Sequence, residues 1–251
     1  MANRNTHQEF ELTHGNEDAI VFVHGILGSP CQFQTLADEL SGQGFDCKVL
    51  LLPGHGGSGK AFYQTPYGKW FEYVKHSIDK STALYKRVFL VGHSLGGLLC
   101  LNYAANSDVS GVILINTPLV FKVSLKQLSF SLRILFSPAY KDDEFLASYR
   151  QAFSVTGGKW YEYPLWLRQF IGLYRYIGQT KKLLKDVRVK TIIIQSVHDE
   201  SVLLKSMGLL KSGLANSKVE VIRLEESYHG YFPPEDRQLL VDTIANFIKN
   251  S

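Results

Sequence analysis

The chain has 251 residues, of which 45% are hydrophobic and 20% charged, a composition typical of a globular protein with one domain and room for an insertion. Its formal net charge of +4 is too small and too dispersed to indicate a nucleic-acid partner. The cysteines are unpatterned, the N-terminus is polar, and no apolar run reaches membrane-spanning length; these features favour a cytoplasmic protein with no metal site and no integral membrane segment.

Short apolar runs alternate with segments of helical spacing along most of the chain. The predicted strands are Phe10–Leu12 at an edge, Ala19–Val23, Phe45–Leu51, Val88–Val91, Val112–Ile115, Thr191–Gln195 and Val219–Leu224. The predicted helices are Phe33–Leu40, Tyr67–Leu84, Leu95–Ala105 and Arg237–Ile248. This alternation predicts an α/β fold with a mostly parallel central sheet and helices on both faces.

A glycine-rich stretch follows the third predicted strand. Gly54–Lys60 matches the G-x-G-x-x-G pattern of dinucleotide sites and nearly matches the P-loop pattern. The P-loop needs Ser or Thr after its lysine, where this chain has Ala61, and Pro66 follows closely where a dinucleotide site would continue a helix. We therefore expect these glycines to shape a loop, and we predict no nucleotide cofactor.

Ser94 lies on a predicted sharp turn between the strand Val88–Val91 and the helix Leu95–Ala105. Gly92 and Gly96 stand two residues to each side, which is the pattern of the nucleophile elbow of serine hydrolases. The turn crowds the serine backbone, so both flanking residues must lack a Cβ, and the following helix aims backbone N–H groups at the hydroxyl. The pattern predicts a nucleophilic serine; the alternative is a serine in a structural turn.

One long interval breaks the alternation of strands and helices. About 75 residues separate Asn116 from Thr191, far more than an ordinary crossover needs. The interval is rich in aromatic residues, among them Phe121, Phe130, Phe136, Trp160, Trp166, Phe170 and Tyr174. We expect a core of residues 1–117 and 191–251, with residues 118–190 as a helical lid over the edge of the sheet where open α/β folds bind ligands.

Two features of this predicted lid can be compared with the structure. Its apolar residues recur at helical spacing at Leu167, Phe170, Ile171, Tyr174 and Ile177. Most of its aromatic residues are expected to pack a small core of the lid itself. A few should face the ligand site, because a lid needs apolar lining to hold an apolar substrate, and lid aromatics such as Trp160 and Trp166 are the ones whose replacement by alanine would test this.

A catalytic serine needs a base, and that base needs an orienting carboxylate. Asp199 follows the strand Thr191–Gln195, and His229 follows the strand Val219–Leu224. Because both residues lie after the C-terminal ends of strands, they should share one edge of the sheet with Ser94. The chain order serine, acid, histidine also fits a known triad arrangement.

Each of these roles has a rival in the sequence. Glu200, beside Asp199, is an alternative acid, and His198 is an alternative base if the usual chain order does not hold. His93 precedes Ser94, but its side chain must point away from the serine, so we expect it to have a supporting role. His229 itself has a simpler interpretation as a surface-loop histidine.

The oxyanion of a tetrahedral intermediate also needs hydrogen-bond donors. We expect one from the backbone N–H of Leu95 and a second from the N–H of Ile26, in the loop after the first long strand. Gly25 and Gly28 let that loop turn towards Ser94. His24 is expected to fix the loop by hydrogen bonding.

These motifs together resemble one branch of a known superfamily. They are His24-Gly25 with Gly28, Pro53-Gly54-His55-Gly56-Gly57-Ser58, Gly92-His93-Ser94-Leu95-Gly96-Gly97, Asp199 with Val202, and His229. The chain resembles the monoacylglycerol lipase and bacterial carboxylesterase branch of the α/β-hydrolase superfamily. The resemblance implies the α/β-hydrolase fold, a triad of Ser94, Asp199 and His229, and an oxyanion hole from Ile26 and Leu95. Tyr228 departs from the glycine that the family often has at that position, and residues 118–190 carry no motif that specifies a substrate.

The sequence therefore predicts a serine hydrolase that cleaves carboxylic esters through an acyl-enzyme on Ser94. The expected partner is a small-molecule ester with an apolar acyl chain, either a short- to medium-chain acyl ester or a monoacylglycerol, and no cofactor is expected. A thioesterase, peptidase or carbon–carbon hydrolase would use the same triad. A more remote alternative is a non-catalytic ligand-binding protein on a hydrolase scaffold.

Overall fold

The computed structural model describes residues 7–122 and 144–251, and seven strands in these ranges form one sheet. The strands are β1 (Phe10–Leu12), β2 (Asp18–Val23), β3 (Asp46–Val49), β4 (Arg87–His93), β5 (Gly111–Ile115), β6 (Thr191–Ser196) and β7 (Val219–Leu224). Their order across the sheet is β1-β3-β2-β4-β5-β6-β7. Strand β1 is antiparallel to β3, and every other neighbouring pair is parallel. The predicted mostly parallel sheet is confirmed.

The described ranges also contain helices on both sides of this sheet. They are α1 (Gln34–Gly42), α2 (Gly59–Gln64), α3 (Gly68–Leu84), α4 (Leu95–Ala104), α5 (Glu144–Ala152), α6 (Tyr163–Leu183), α7 (Lys205–Gly213) and α8 (Pro234–Lys249). Short 3₁₀ turns cover Pro30–Phe33, Trp160–Glu162 and Leu184–Asp186. Among the residues described, no helix combines the length and the apolar character needed to cross a bilayer.

Alternate residues of the central strands point to opposite faces of the sheet and build two halves of the core. In β4, Val88 and Leu90 belong to the half covered by α3, α4, α6 and α7, whereas Phe89 and Val91 belong to the half covered by α1 and α8. Because both faces are covered, β4 is apolar at four consecutive positions, Val88 to Val91, as parallel strands usually are. This arrangement brings the C-terminal ends of β4, β5, β6 and β7 to one edge.

The sequence prediction missed the helices α2 and α7. Helix α2 begins at Gly59, inside the glycine-rich stretch that we expected to be a loop. Its N-terminus is capped by Ser58, whose Oγ accepts a hydrogen bond from the N–H of Ala61 at 3.2 Å. The expectation of a loop was wrong from Gly59 onwards because the capping serine was overlooked.

Helix α6 forms where the spacing of apolar residues predicted a helix, but only Phe170 and Ile177 of that set pack against the core. Leu167, Ile171 and Tyr174 from that pattern are 62%, 46% and 52% exposed. The buried side of α6 carries Trp166, Gln169, Gly172, Leu173, Tyr176, Ile177 and Thr180. Trp166 and Tyr176 join the main core beside α2 and α4, so these two aromatic residues pack against the body of the protein and not in a separate core of residues 118–190. Trp160 is 82% exposed, and Phe130 and Phe136 lie outside the described residues.

Candidate active site

Ser94 lies at the junction of β4 and α4 in a strained backbone conformation, with φ 52° and ψ −117°. A Cβ at Gly96 would lie 1.9 Å from the carbonyl oxygen of Val23, and one at Gly92 would lie 2.5 Å from Cα of Gly97. The predicted need for glycine at both flanking positions is therefore confirmed. Such strain costs about 1–3 kcal/mol and persists only where the surrounding packing enforces it. Ser94 is itself buried, with 2% exposure.

Asp199 and His229 meet at the same edge of the sheet, after β6 and β7. His229 Nδ1 lies 2.9 Å from Asp199 Oδ2. The other carboxylate oxygen, Oδ1, accepts hydrogen bonds from the N–H groups of Ser201 at 2.8 Å and Val202 at 2.7 Å. These backbone donors fix the orientation of the buried Asp199 carboxylate. Because the carboxylate accepts a hydrogen bond from the imidazole, the imidazole proton lies on Nδ1 and Nε2 is left as an acceptor.

The elbow and the His229 loop are joined through His93. Its ring centroid lies 4.7 Å from that of His229, and its Nε2–H donates to the carbonyl oxygen of His229 at 2.7 Å. In the described part of the chain, no hydrogen bond links Ser94 Oγ to His229. In ligand-free proteins with a serine and histidine arranged in this way, the hydrogen bond between the two side chains often forms only when substrate binds. The absence of that bond is therefore compatible with Ser94 and His229 acting together. The supporting role expected of His93 agrees with these contacts.

Two buried polar residues that sequence reasoning missed hold the acid and the histidine loop. Asn116, at the end of β5, donates from Nδ2 to the carbonyl oxygen of His229 at 3.0 Å and to Ser196 Oγ at 3.0 Å. Gln195 donates from Nε2 to Asp199 Oδ2 at 3.2 Å. Both were detectable in principle, because each is a polar side chain at the end of an otherwise apolar strand at this edge.

The two rivals occupy other positions. Glu200 Oε2 accepts a hydrogen bond from the backbone N–H of His229 at 3.1 Å, so its contact is with the main chain and not with the imidazole. His198 is exposed, and its ring lies against Tyr228 with centroids 5.6 Å apart. The geometry therefore favours Asp199 over Glu200 as the partner of the imidazole, and His229 over His198 as the histidine of the site.

The loop after β2 passes directly beside the elbow. A Cβ at Gly25 would lie 3.1 Å from Cβ of Ser94. Leu95 is the first residue of α4, so its N–H has no partner within the helix. In the described ranges, neither this amide nor that of Ile26 donates a hydrogen bond. Both groups are therefore available as donors near Ser94.

Two buried histidines hold this loop in place by hydrogen bonds. His24 donates from Nδ1 to the carbonyl oxygen of Gly25 at 2.8 Å and accepts from the N–H of Leu52 at 3.0 Å. The expectation that His24 fixes the loop agrees with these bonds. His55, which the prediction passed over, accepts the N–H of Leu27 at its Nε2, at 3.1 Å. Leu27 has a positive φ of 60°, so this bond holds a turn that the backbone would otherwise avoid.

Electrostatics distinguish the partly buried His229 from the fully buried histidines near Ser94. Burial alone lowers the pKa of His229, but the Asp199 carboxylate, with a smaller contribution from Glu200, raises it more, so the net pKa is raised. Burial lowers the pKa of His93 to about 3 and that of His55 to about 4. His93 and His55 therefore stay neutral at physiological pH, and His229 is the histidine whose charged form this site favours.

The described residues offer no metal-binding cluster, and two backbone amides of the glycine-rich stretch are already engaged. Within residues 7–122 and 144–251, no three His, Cys, Asp or Glu side chains are grouped as a metal ion requires. In the glycine-rich stretch, the N–H of Gly59 donates to the carbonyl oxygen of Thr156 at 3.0 Å, and that of Gly56 donates to Ser154 Oγ at 3.1 Å. Amides that would cradle a phosphate thus bind the segment after α5 instead.

Comparisons with known proteins agree with this architecture. Residues 18–153 match the family model described as alpha/beta hydrolase fold. The thermostable monoacylglycerol lipase of Bacillus sp. (strain H-257) is 23% identical over 91% of this chain and 89% of its own length. The carboxylesterase of Bacillus subtilis is 19% identical over 94% of each chain. A solved structure from work on LipS and LipT, two metagenome-derived lipolytic enzymes, has a TM-score of 0.76 at 20% identity, covering 97% of this chain and 98% of that one.

Proposed function

The chain belongs to the α/β-hydrolase family, and from that premise we propose that it is a serine hydrolase that cleaves carboxylic esters through an acyl-enzyme on Ser94. The observation that carries the proposal is the Asp199–His229 pair, 2.9 Å from Nδ1 to Oδ2, beside a strained serine elbow. The similarity to a monoacylglycerol lipase and a carboxylesterase supports the same reaction class.

In the proposed mechanism, His229 Nε2 takes the proton of the Ser94 hydroxyl as Oγ attacks the ester carbonyl carbon. Asp199 keeps the other proton on Nδ1 and stabilises the imidazolium that forms. The tetrahedral intermediate collapses when His229 returns a proton to the leaving alkoxide, releasing the alcohol. Water, activated by His229 in the same way, then attacks the acyl-enzyme and regenerates Ser94 with release of the acid.

The backbone N–H groups of Ile26 and Leu95 are proposed to stabilise the negative oxygen of both tetrahedral intermediates. Neither amide has another acceptor in the described ranges, and the N-terminus of α4 adds the positive end of a helix dipole. The bonds from His24 and His55 keep the loop that carries Ile26 in place before substrate binds. Donors fixed in advance need no reorganisation when the charge develops.

We propose short- to medium-chain acyl esters or monoacylglycerols as the substrate class, and residues 118–190 as the lid that selects among them. Phe153 is the aromatic residue of this lid that we propose for that role. It packs against both the main core and a small cluster of Leu146 and Tyr149. It also lines a cavity of about 280 Å³, and the next residue, Ser154, donates its N–H to the carbonyl oxygen of Leu27 beside Ile26.

Activity is expected to depend on acyl-chain length. Each methylene that the enzyme buries contributes roughly 0.8 kcal/mol, so kcat/KM for p-nitrophenyl esters should rise severalfold per two-carbon step to an optimum at short or medium chains. Phe153→Ala should weaken this dependence, whereas Trp160→Ala, at an 82% exposed position, should leave it unchanged. Equal rates at every chain length, unaltered in Phe153→Ala, would show that the lid does not select the substrate.

The pH dependence should report the raised pKa of His229. The base acts only when neutral, so kcat/KM should fall as the pH drops through that pKa. Because Asp199 and Glu200 raise it, the acid limb should lie above the ordinary histidine value of 6.5. A pH profile of p-nitrophenyl ester hydrolysis measures this limb directly. An inflection well below 6.5 would contradict the assignment of His229 as base.

The other reaction classes that use such a triad can be distinguished by comparing substrates directly. Esters, thioesters and amides of one acyl group should be assayed side by side, with ester cleavage expected to have the highest kcat/KM relative to the uncatalysed rate. A fluorophosphonate probe should label the wild type, because only an activated serine reacts with it. Absence of both labelling and turnover would favour a non-catalytic binding protein.

A further inference from the structure

Glu200 and Tyr149 hydrogen-bond to each other and to the backbone of the loop that carries His229, the catalytic histidine proposed above. Glu200 Oε2 accepts the N–H of His229 at 3.1 Å, and Glu200 Oε1 accepts the Tyr149 hydroxyl proton at 2.7 Å. The Tyr149 oxygen in turn accepts the N–H of Gly230 at 3.0 Å. Two consecutive amides of the His229 loop are thus held by one carboxylate and one phenol.

We infer that Glu200 and Tyr149 are positioning residues that fix His229 for proton transfer and tie it to α5 of residues 118–190, an inference that rests on the proposed function of His229 as the base. Tyr149 belongs to α5, whereas Glu200 follows β6 and His229 follows β7. The contact therefore joins three elements that are distant along the chain. No other role in the proposed mechanism uses either side chain.

The packing around Tyr149 leaves little freedom for another arrangement. Tyr149 is 6% exposed and clusters with Leu146, Phe153 and Tyr231. A Cβ at Gly230 would lie 3.2 Å from Cε1 of Tyr149, so the ring rests directly on the loop backbone. Burial and the Glu200 carboxylate raise the pKa of Tyr149, which keeps its hydroxyl protonated and able to donate.

The two residues contribute in different ways, and this difference makes the inference testable. The Glu200 carboxylate acts by charge as well as by geometry, because it raises the pKa of His229. Tyr149 is neutral and acts by geometry alone. Displacement of α5 would break both hydrogen bonds of the tyrosine hydroxyl. The position of α5 would therefore determine how firmly His229 is held for proton transfer. Residues 118–190 would then affect catalysis through His229 in addition to contacting the acyl chain.

The test compares Glu200→Gln and Tyr149→Phe with matched controls on p-nitrophenyl acetate, whose acyl group is too short to report on chain-length selection. Tyr149→Phe should lower kcat about five- to thirtyfold with KM nearly unchanged, the effect of losing hydrogen bonds that position a base. Glu200→Gln should lower kcat similarly and also move the acid limb of the pH profile to lower pH. The controls, Tyr161→Phe and Glu226→Gln, change exposed side chains and should match the wild type.

The outcomes separate this inference from the proposed function. If both variants match the controls in kcat and in the acid limb while the wild type hydrolyses ester, the inference is overturned and the function stands. A wild type that neither hydrolyses ester nor reacts with a fluorophosphonate overturns both. Thermal unfolding identifies any variant that fails to fold; should Tyr149→Phe fail, the kcat of Glu200→Gln on the pH plateau, where His229 is neutral, decides alone, because Glu200 is only partly buried and its replacement should be tolerated.

Discussion

Replacing Ser94 with alanine is expected to lower kcat/KM for p-nitrophenyl butyrate by about a thousandfold or more, while the protein stays folded. The hydroxyl is the atom that forms the acyl-enzyme in the proposed mechanism, so no other group can substitute for it. The methyl group of alanine fits wherever the serine side chain does, and Gly92 and Gly96 keep the tight turn possible. Steady-state kinetics and circular dichroism of the same preparation measure the two parts of this prediction.

The matched control for this variant is Ser212→Ala, which removes the hydroxyl of an exposed serine in α7. It should retain wild-type turnover. If Ser94→Ala kept more than about a tenth of the wild-type kcat/KM, a nucleophile other than Ser94 would have to carry the reaction.

Loss of either member of the Asp199–His229 pair is expected to cost nearly as much. His229→Ala removes the base, and kcat should fall by about a thousandfold to ten-thousandfold. Asp199→Asn should have a comparable effect, because an amide can donate to Nδ1 and thereby place the imidazole proton on Nε2, where it blocks proton transfer from Ser94. The same ester assay, carried out at the pH optimum of the wild type, measures both variants.

The controls for this second prediction are the rival histidine and the rival acid. His198→Ala should retain near wild-type activity, because His198 is exposed and lies against Tyr228. Glu200→Gln should cost far less than Asp199→Asn, because Glu200 contacts only the main chain of His229. An inactive His198→Ala beside an active His229→Ala would reverse the assignment of the base.

The parts of the site that the sequence predicts are those encoded by short local patterns. The elbow could be found because the crowding around Ser94 requires glycine at fixed spacing, and the clashes at Gly92 and Gly96 agree with that reason. Asp199 and His229 could be found because each follows a recognisable apolar strand. The parallel sheet then brings those strand ends to one edge.

The long-range pairings that support the site could not be assigned from the sequence. Asn116 stands out as a polar side chain after an apolar strand, but its partner His229 lies far along the chain, as does the partner Glu200 of Tyr149, so no local spacing marks either pairing. Helix α6 shows a related limit. Its buried side includes Gln169, whose Nε2 donates to the backbone carbonyls of the α2 region, so a search for apolar residues alone could not identify the whole buried face.

The central claim is that Ser94 is the residue that becomes acylated, and covalent labelling tests it most directly. The wild-type protein should be treated with a fluorophosphonate, digested, and analysed by mass spectrometry to locate the adduct. We expect one adduct per chain, on the peptide that contains Ser94, with no labelling of Ser94→Ala and much slower labelling of His229→Ala. An adduct on a different residue, or labelling that persists unchanged in Ser94→Ala, would contradict the proposed mechanism.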